Sequence, residues 1–165
     1  MSAEDIVQIS TSARAALGNR CFAGACARVG AQWYLAGLVE PEQALALLTE
    51  KHTVAGKKPR TSVLNVYPSY LGQLVECGLR LGYGPADFGL ERIMVGGEAV
   101  TEGLKARYRE LFGPVTFVEG YAMTETGRCA MCENAGRVSR HAPFLRMYNG
   151  TAARLSPVGR EQGGA

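Results

Sequence analysis

Short apolar runs alternate with stretches whose apolar residues recur every three or four positions, which predicts strands separated by single amphipathic helices. Ile6 to Ile9 reads as a strand, followed by the hydroxyl-rich Ser10-Thr11-Ser12 loop and a helix from about Leu17 to Val29. Phe22, Cys26 and Val29 recur there at helical spacing, and Gly30 suits the C-terminal cap. Trp33 to Ala36 is the second strand. Pro41 sits where proline is favoured at a helix start, with Glu40 and Glu42 near the positive end of the dipole and Ala44, Leu45 and Leu48 on the inward face.

Ser62 to Val66, rich in β-branched and apolar residues, is the third strand. Pro68 opens a helix to about Leu81 with Leu71, Leu74, Val75 and Leu79 on one face, and Gly82 and Gly84 end it. Arg92 to Val95 is the fourth strand. Thr101 is a good N-cap for a helix whose apolar positions are Leu104, Tyr108, Leu111 and Phe112. Gly113-Pro114 stops that helix, and Thr116 to Val118 is the fifth strand. Strands joined by single helices pair in parallel through right-handed crossovers, so the expected class is α/β, a three-layer sandwich with a mostly parallel sheet. Ligands of such sheets gather at the carboxyl ends of the strands. Tyr67-Pro68-Ser69-Tyr70, Gly96-Gly97-Glu98 and Gly120 to Thr126 all fall there.

Composition narrows the function classes. At 165 residues and 47% hydrophobic, the chain has material for one core, with two parts expected: residues 1–133 as the folded subdomain and 134–165 as an irregular, poorly ordered tail. A net charge of +3 without a Lys/Arg stripe argues against nucleic acid as a partner. No run reaches the roughly 20 apolar residues of a membrane span, so no membrane partner is expected. The amino-terminal Met-Ser-Ala-Glu-Asp-Ile has no basic region followed by an apolar one, and five cysteines without framework spacing read as thiols in a reducing cytoplasm. The basic run Gly56-Lys57-Lys58-Pro59-Arg60 reads as a solvated loop rather than a phosphate contact.

The candidate chemistry lies in Gly120-Tyr121-Ala122-Met123-Thr124-Glu125-Thr126 and in the Gly-Gly-Glu turn before it. Gly97 lets a backbone come close to a ligand, Tyr121 offers a flat face for a base, and Thr124 beside Glu125 pairs a hydroxyl with a carboxylate. A carboxylate near nucleotide phosphates calls for a cation between them, which makes Glu125 a magnesium candidate. The same residues also serve simply to close two strand-helix connections, and residue types alone leave both roles open.

The Gly-Gly-Glu loop, a helical segment and a strand ending in Tyr-x-Met-Thr-Glu resemble the adenylate-forming (AMP-binding) ligases, within them the phenylacetate-CoA ligase-like branch. A Gly-Ala pair at Gly30-Ala31 and the Pro-Ser-Tyr helix start at Pro68 to Tyr70 support the resemblance, which covers about Asn19 to Glu133. It implies ATP/AMP, Mg2+ and coenzyme A as cofactors and a small carboxylic acid as substrate. It also implies that Gly96, Gly97, Glu98, Gly120, Tyr121, Ala122 and Met123 frame the adenylate, that Thr124 contacts the α-phosphate and Glu125 the magnesium, and that Tyr70 lies near the acid pocket, where its other role is to cover the helix start. The whole enzyme would form an acyl adenylate and then a CoA thioester.

The departures are specific. The family's Ser/Thr/Gly-rich phosphate loop ending in Pro-Lys-Gly is not found, and Ser10-Thr11-Ser12 lacks its glycines and lysine. No segment is long enough for the family's lysine-bearing C-terminal domain, and Ala122 stands where the common motif has glycine. An internal piece of a ligase gene, a non-catalytic nucleotide-binding remnant, and a subunit that completes its site with another polypeptide all follow as expectations, with a homodimer or a complementing ligase subunit as the expected partner. Cys129-x-x-Cys132 with Glu133 and His141 has a spacing zinc can use, though an incidental role is favoured. A catalytic triad is poorly supported by His52, His141, Asp5 and Asp87.

Overall fold

The computed structural model describes residues 1–12, 17–123 and 128–133. The elements follow the order β1 (Ile6–Ser10), α1 (Leu17–Val29), β2 (Gln32–Leu35), α2 (Pro41–Thr49), β3 (Val63–Val66), α3 (Pro68–Arg80), a short 3-10 turn at Pro85–Asp87, β4 (Arg92–Gly96), α4 (Glu102–Phe112), β5 (Thr116–Met123) and β6 (Arg128–Glu133). They form one six-stranded sheet in the order β2-β1-β3-β4-β5-β6. The first five strands are parallel and β6 is antiparallel to β5. The expected α/β sandwich is therefore the fold of this chain.

The chain runs outward from β1 to β2, then crosses back and proceeds through β3, β4 and β5. Right-handed crossovers place helices on opposite faces when that direction reverses. Accordingly α2, α3 and α4 share one face, packing Leu45, Leu48, Leu71, Leu74 and Leu111 onto Leu64, Val66, Ile93, Val95 and Phe117. On the other face Cys26 and partly buried Phe22 of α1 cluster with Val7, Ile9, Val63, Met94 and Val118. Each fully buried aliphatic side chain here contributes roughly 1.5–3 kcal/mol. A polar seam runs beneath α2: buried Gln8 donates to Ser10 Oγ at 2.9 Å and accepts from Tyr34 Oη at 2.6 Å.

The helix ends obey local rules. Pro41 and Pro68 open α2 and α3, Thr101 Oγ1 accepts the Leu104 N–H at 3.3 Å, and Gly30 and Gly113 close α1 and α4 at φ 81° and 78°. Three positions expected on buried faces instead point outward: Val29 (42% exposed), Leu79 (39%) and Leu104 (39%). Val29 and Leu79 lie in the last turns of α1 and α3. Leu104 yields its inward place to Lys105, for which β5 holds a partner. A second correction concerns Gly120, expected in a turn but found inside β5, which continues to Met123 because β6 pairs with it from Val118 onward.

Among the described residues no helix is long and apolar enough to cross a membrane. The expected tail at 134–165 lies outside the described residues.

Candidate functional site

The reversal of direction between β1 and β3 makes the carboxyl edge of the sheet the place where a crevice opens. Along this edge Gly96 is paired with Gly120. A Cβ on Gly96 would stand 2.8 Å from the Gly120 carbonyl oxygen, so no larger residue fits there without parting the two strands. Gly97 follows at φ 83°, in the left-handed region that disfavours a side chain. Its missing Cβ would meet the Tyr67 ring at 3.4–3.5 Å. The exposed Gly97-Glu98 turn thus rests on an aromatic wall supplied by the end of β3.

Glu98 is held from the side. Its Oε2 accepts the Ser69 N–H and its Oε1 accepts the Ser69 hydroxyl, both at 2.8 Å. Tyr70 is buried, and its hydroxyl donates to the Val39 carbonyl. Burial and the charge of Glu40 raise the Tyr70 pKa, which keeps the phenol neutral. Tyr67, Ser69 and Tyr70 line a cleft of about 300 Å³ with Leu38, Val39 and Pro41.

Beyond Gly120 the backbone of Tyr121, Ala122 and Met123 pairs only with Ala130, Cys129 and Arg128 of β6, so the two strands project past the end of β4. Thr124 and Glu125, with the rest of 124–127, lie outside the described residues, as does His141. Cys129 and Cys132 take backbone positions opposite Ala122 and Glu119. Among the described residues no three His, Cys, Asp or Glu side chains gather to hold a metal. A hard cation takes oxygen donors.

Two features at this edge escaped the reading of the sequence. Lys105 is 1% exposed and donates from Nζ to Glu102 at 2.7 Å and to Glu119 at 2.5 Å, tying the start of α4 to β5 beside Gly120. Burial works against its charge, but the hydrogen bonds to the two carboxylates outweigh it and raise its pKa. The available signal was spacing, since Lys105, Tyr108 and Phe112 share a helix face. Ser69 as the partner of Glu98 left no such trace, because the two lie on different elements.

Residues 25–160 match the family profile described as AMP-binding enzyme, which extends beyond Glu133, where the motif-based resemblance stopped. The fold is similar to an open conformation of 2-hydroxyisobutyryl-CoA ligase (HCL) in complex with 2-HIB-AMP and CoA, at TM-score 0.62 and 18% identity over 79% of this chain and 28% of that one. It is also similar to ATP-bound MatB from Rhodopseudomonas palustris (TM-score 0.61, 17% identity, 86% of this chain, 25% of that one). CmiS6 matches at TM-score 0.63 and 16% identity, over 87% of this chain and 33% of that one. At these identities the likeness is one of fold, and the chain spans between a quarter and a third of the length of these structures. No curated protein matches the sequence.

Proposed function

The chain belongs to the AMP-binding enzyme family, and on that premise we propose that it carries the adenylate-binding part of an AMP-forming acid-CoA ligase of the phenylacetate-CoA ligase-like branch. The observation that carries the proposal is the pairing of Gly96, at the foot of the Gly97-Glu98 turn, with Gly120 of β5 at one edge, inside the matched stretch. The adenylate and CoA bound by the HCL neighbour support the same class of ligands.

In this reading the left-handed turn at Gly97 and the Tyr67 wall frame the base, and Tyr121 stacks on it. Thr124 donates to the α-phosphate, and Glu125 holds magnesium. Magnesium bound there would screen the phosphate charge that repels an incoming carboxylate. An acid oxygen would attack the α-phosphorus while the bond to the β-phosphate oxygen breaks and pyrophosphate leaves. A CoA thiol would then attack the acyl carbon, its proton passing to a base, and expel AMP. Donors positioned at the phosphate lower that barrier by stabilising charge as it develops. The setting is the reducing cytoplasm, supported by Cys21, Cys26 and Cys77 being free thiols.

Calorimetric titration of the purified chain with AMP and ATP in the presence of magnesium tests the proposal, beside Glu125→Ala and Tyr121→Ala. Saturable binding weakened by both substitutions is expected, and absence of heat from a demonstrably folded protein would refute it. The alternative reading is a subunit of a split ligase, or a remnant that binds nucleotide without turning it over. Pyrophosphate exchange with aryl acids separates these. Exchange by the chain alone rejects both, and exchange restored only by a complementing polypeptide identifies the subunit.

A further inference from the structure

The first free donor of α3 is the Ser69 N–H, because Pro68 has none and Tyr67 provides no side-chain cap. A helix in that situation is ordinarily capped by its own preceding residue. Here the cap comes from 29 residues further along the chain: both Glu98 oxygens are committed to Ser69, one to its N–H and one to its hydroxyl. The positive end of the α3 dipole favours the carboxylate in that place. The same short segment also carries Tyr67, whose ring lies at contact distance from where a Gly97 Cβ would stand. The glycine turn is therefore gripped twice by residues 67–69.

We propose that Glu98 is a positioning residue, which latches the Gly96–Glu98 turn to the start of α3 through Ser69 and leaves the contact with nucleotide to the backbone of the turn. This rests on the reading of the turn as part of an adenylate site. It refines the role implied for Glu98 by resemblance: the carboxylate shapes the frame without touching the base. The latch also joins the turn to the Tyr67-Ser69-Tyr70 wall of the cleft.

Amide hydrogen exchange and AMP titration of the whole chain test it, using wild type, Ser69→Ala, Ser69→Thr, Glu98→Ala and the Ser69→Ala/Glu98→Ala double variant. The Ser69 amide is expected to be protected in wild type and exposed in Glu98→Ala, and the amides of Gly97 to Ala99 to exchange faster in Ser69→Ala. Glu98→Ala, which removes both bonds, should weaken AMP by about fivefold, the worth of one helix cap, and Ser69→Ala, which keeps the N–H bond to Glu98, by less. The double variant should be no weaker than the weaker-binding single, and Ser69→Thr, which keeps the hydroxyl, should bind as wild type does.

Weakening by Glu98→Ala without faster exchange of the Ser69 and Gly97 to Ala99 amides in that variant would overturn the proposal in favour of direct contact. Additive losses, or unchanged AMP affinity in both single variants, would overturn it as well. If wild type takes up no AMP, the adenylate reading fails, and the exchange rates at Ser69 and Gly97 alone decide the latch.

Discussion

The two ends of this sheet solve different problems. At the amino end Asp5 is fully buried and saturated: it accepts from Lys58 Nζ and Ser62 Oγ at 2.8 Å and from the Ser2 N–H at 2.6 Å, with Arg92 at 3.7 Å. Lys58 also reaches Glu91 at 2.6 Å, so β1, the approach to β3 and the start of β4 are pinned together. At the carboxyl end β4 finishes in Gly96, paired with Gly120 of β5, and the Gly97-Glu98 turn beyond it is exposed. The amino end gathers its charged groups in one cluster around Asp5, whereas the carboxyl end leaves the Gly97-Glu98 turn exposed. Charges in a closed cluster secure the fold, while a ligand needs donors that still have room.

The largest effect should come from breaking the closed end. Asp5→Ala is expected to cost about 3 kcal/mol, because it strands the polar groups gathered around the carboxylate. Urea denaturation would measure it, and nucleotide affinity of the remaining folded protein should be unchanged. Burial alone would raise the Asp5 pKa, but hydrogen bonds from Lys58, Ser2 and Ser62 and the charge of Lys58 hold it down at about 2. A folded pKa below the unfolded value gives stability that is full above about pH 4 and lost as the pH falls towards 2. That loss should be roughly 2 kcal/mol and should vanish from the acid titration of Asp5→Asn.

Gly97→Ala tests the open end. Its left-handed φ of 83° makes a side chain cost roughly 1–2 kcal/mol. The loss of AMP affinity should exceed the loss of stability, reversing the Asp5 pattern; equal losses would remove the distinction between the two ends. Smallest of all, Arg80→Ala should leave the thermal midpoint unmoved, since its pair with Glu42 at 2.9 Å is exposed on both sides.

Much of the fold was legible because it is written in local rules. Pro41, Pro68, Thr101, Gly30 and Gly113 mark helix ends through their own backbone chemistry, and the five parallel strands are short apolar runs. β6 was missed because Arg128–Glu133 carries no alternating pattern and becomes a strand by pairing with β5. The motif around Tyr121 and the Gly-Gly-Glu turn pointed to the family. The engagement of Glu98 by Ser69 and of Lys105 by Glu119 could not be read, since each pair joins residues on different elements.

The sequence by itself determined the succession of strands and helices, the glycines that keep the carboxyl edge open, and membership of a nucleotide-binding family. Those depend on spacing and on the conformational freedom of single residues, which a chain carries before it folds. Only the tertiary structure decided that Gly120 lies inside a strand against Gly96, that Lys105 rather than Leu104 faces inward, and that Glu98 caps a helix it does not belong to. A charged or polar side chain takes its role from the partner it meets. The sheet brings those partners together from residues 14 and 29 positions apart.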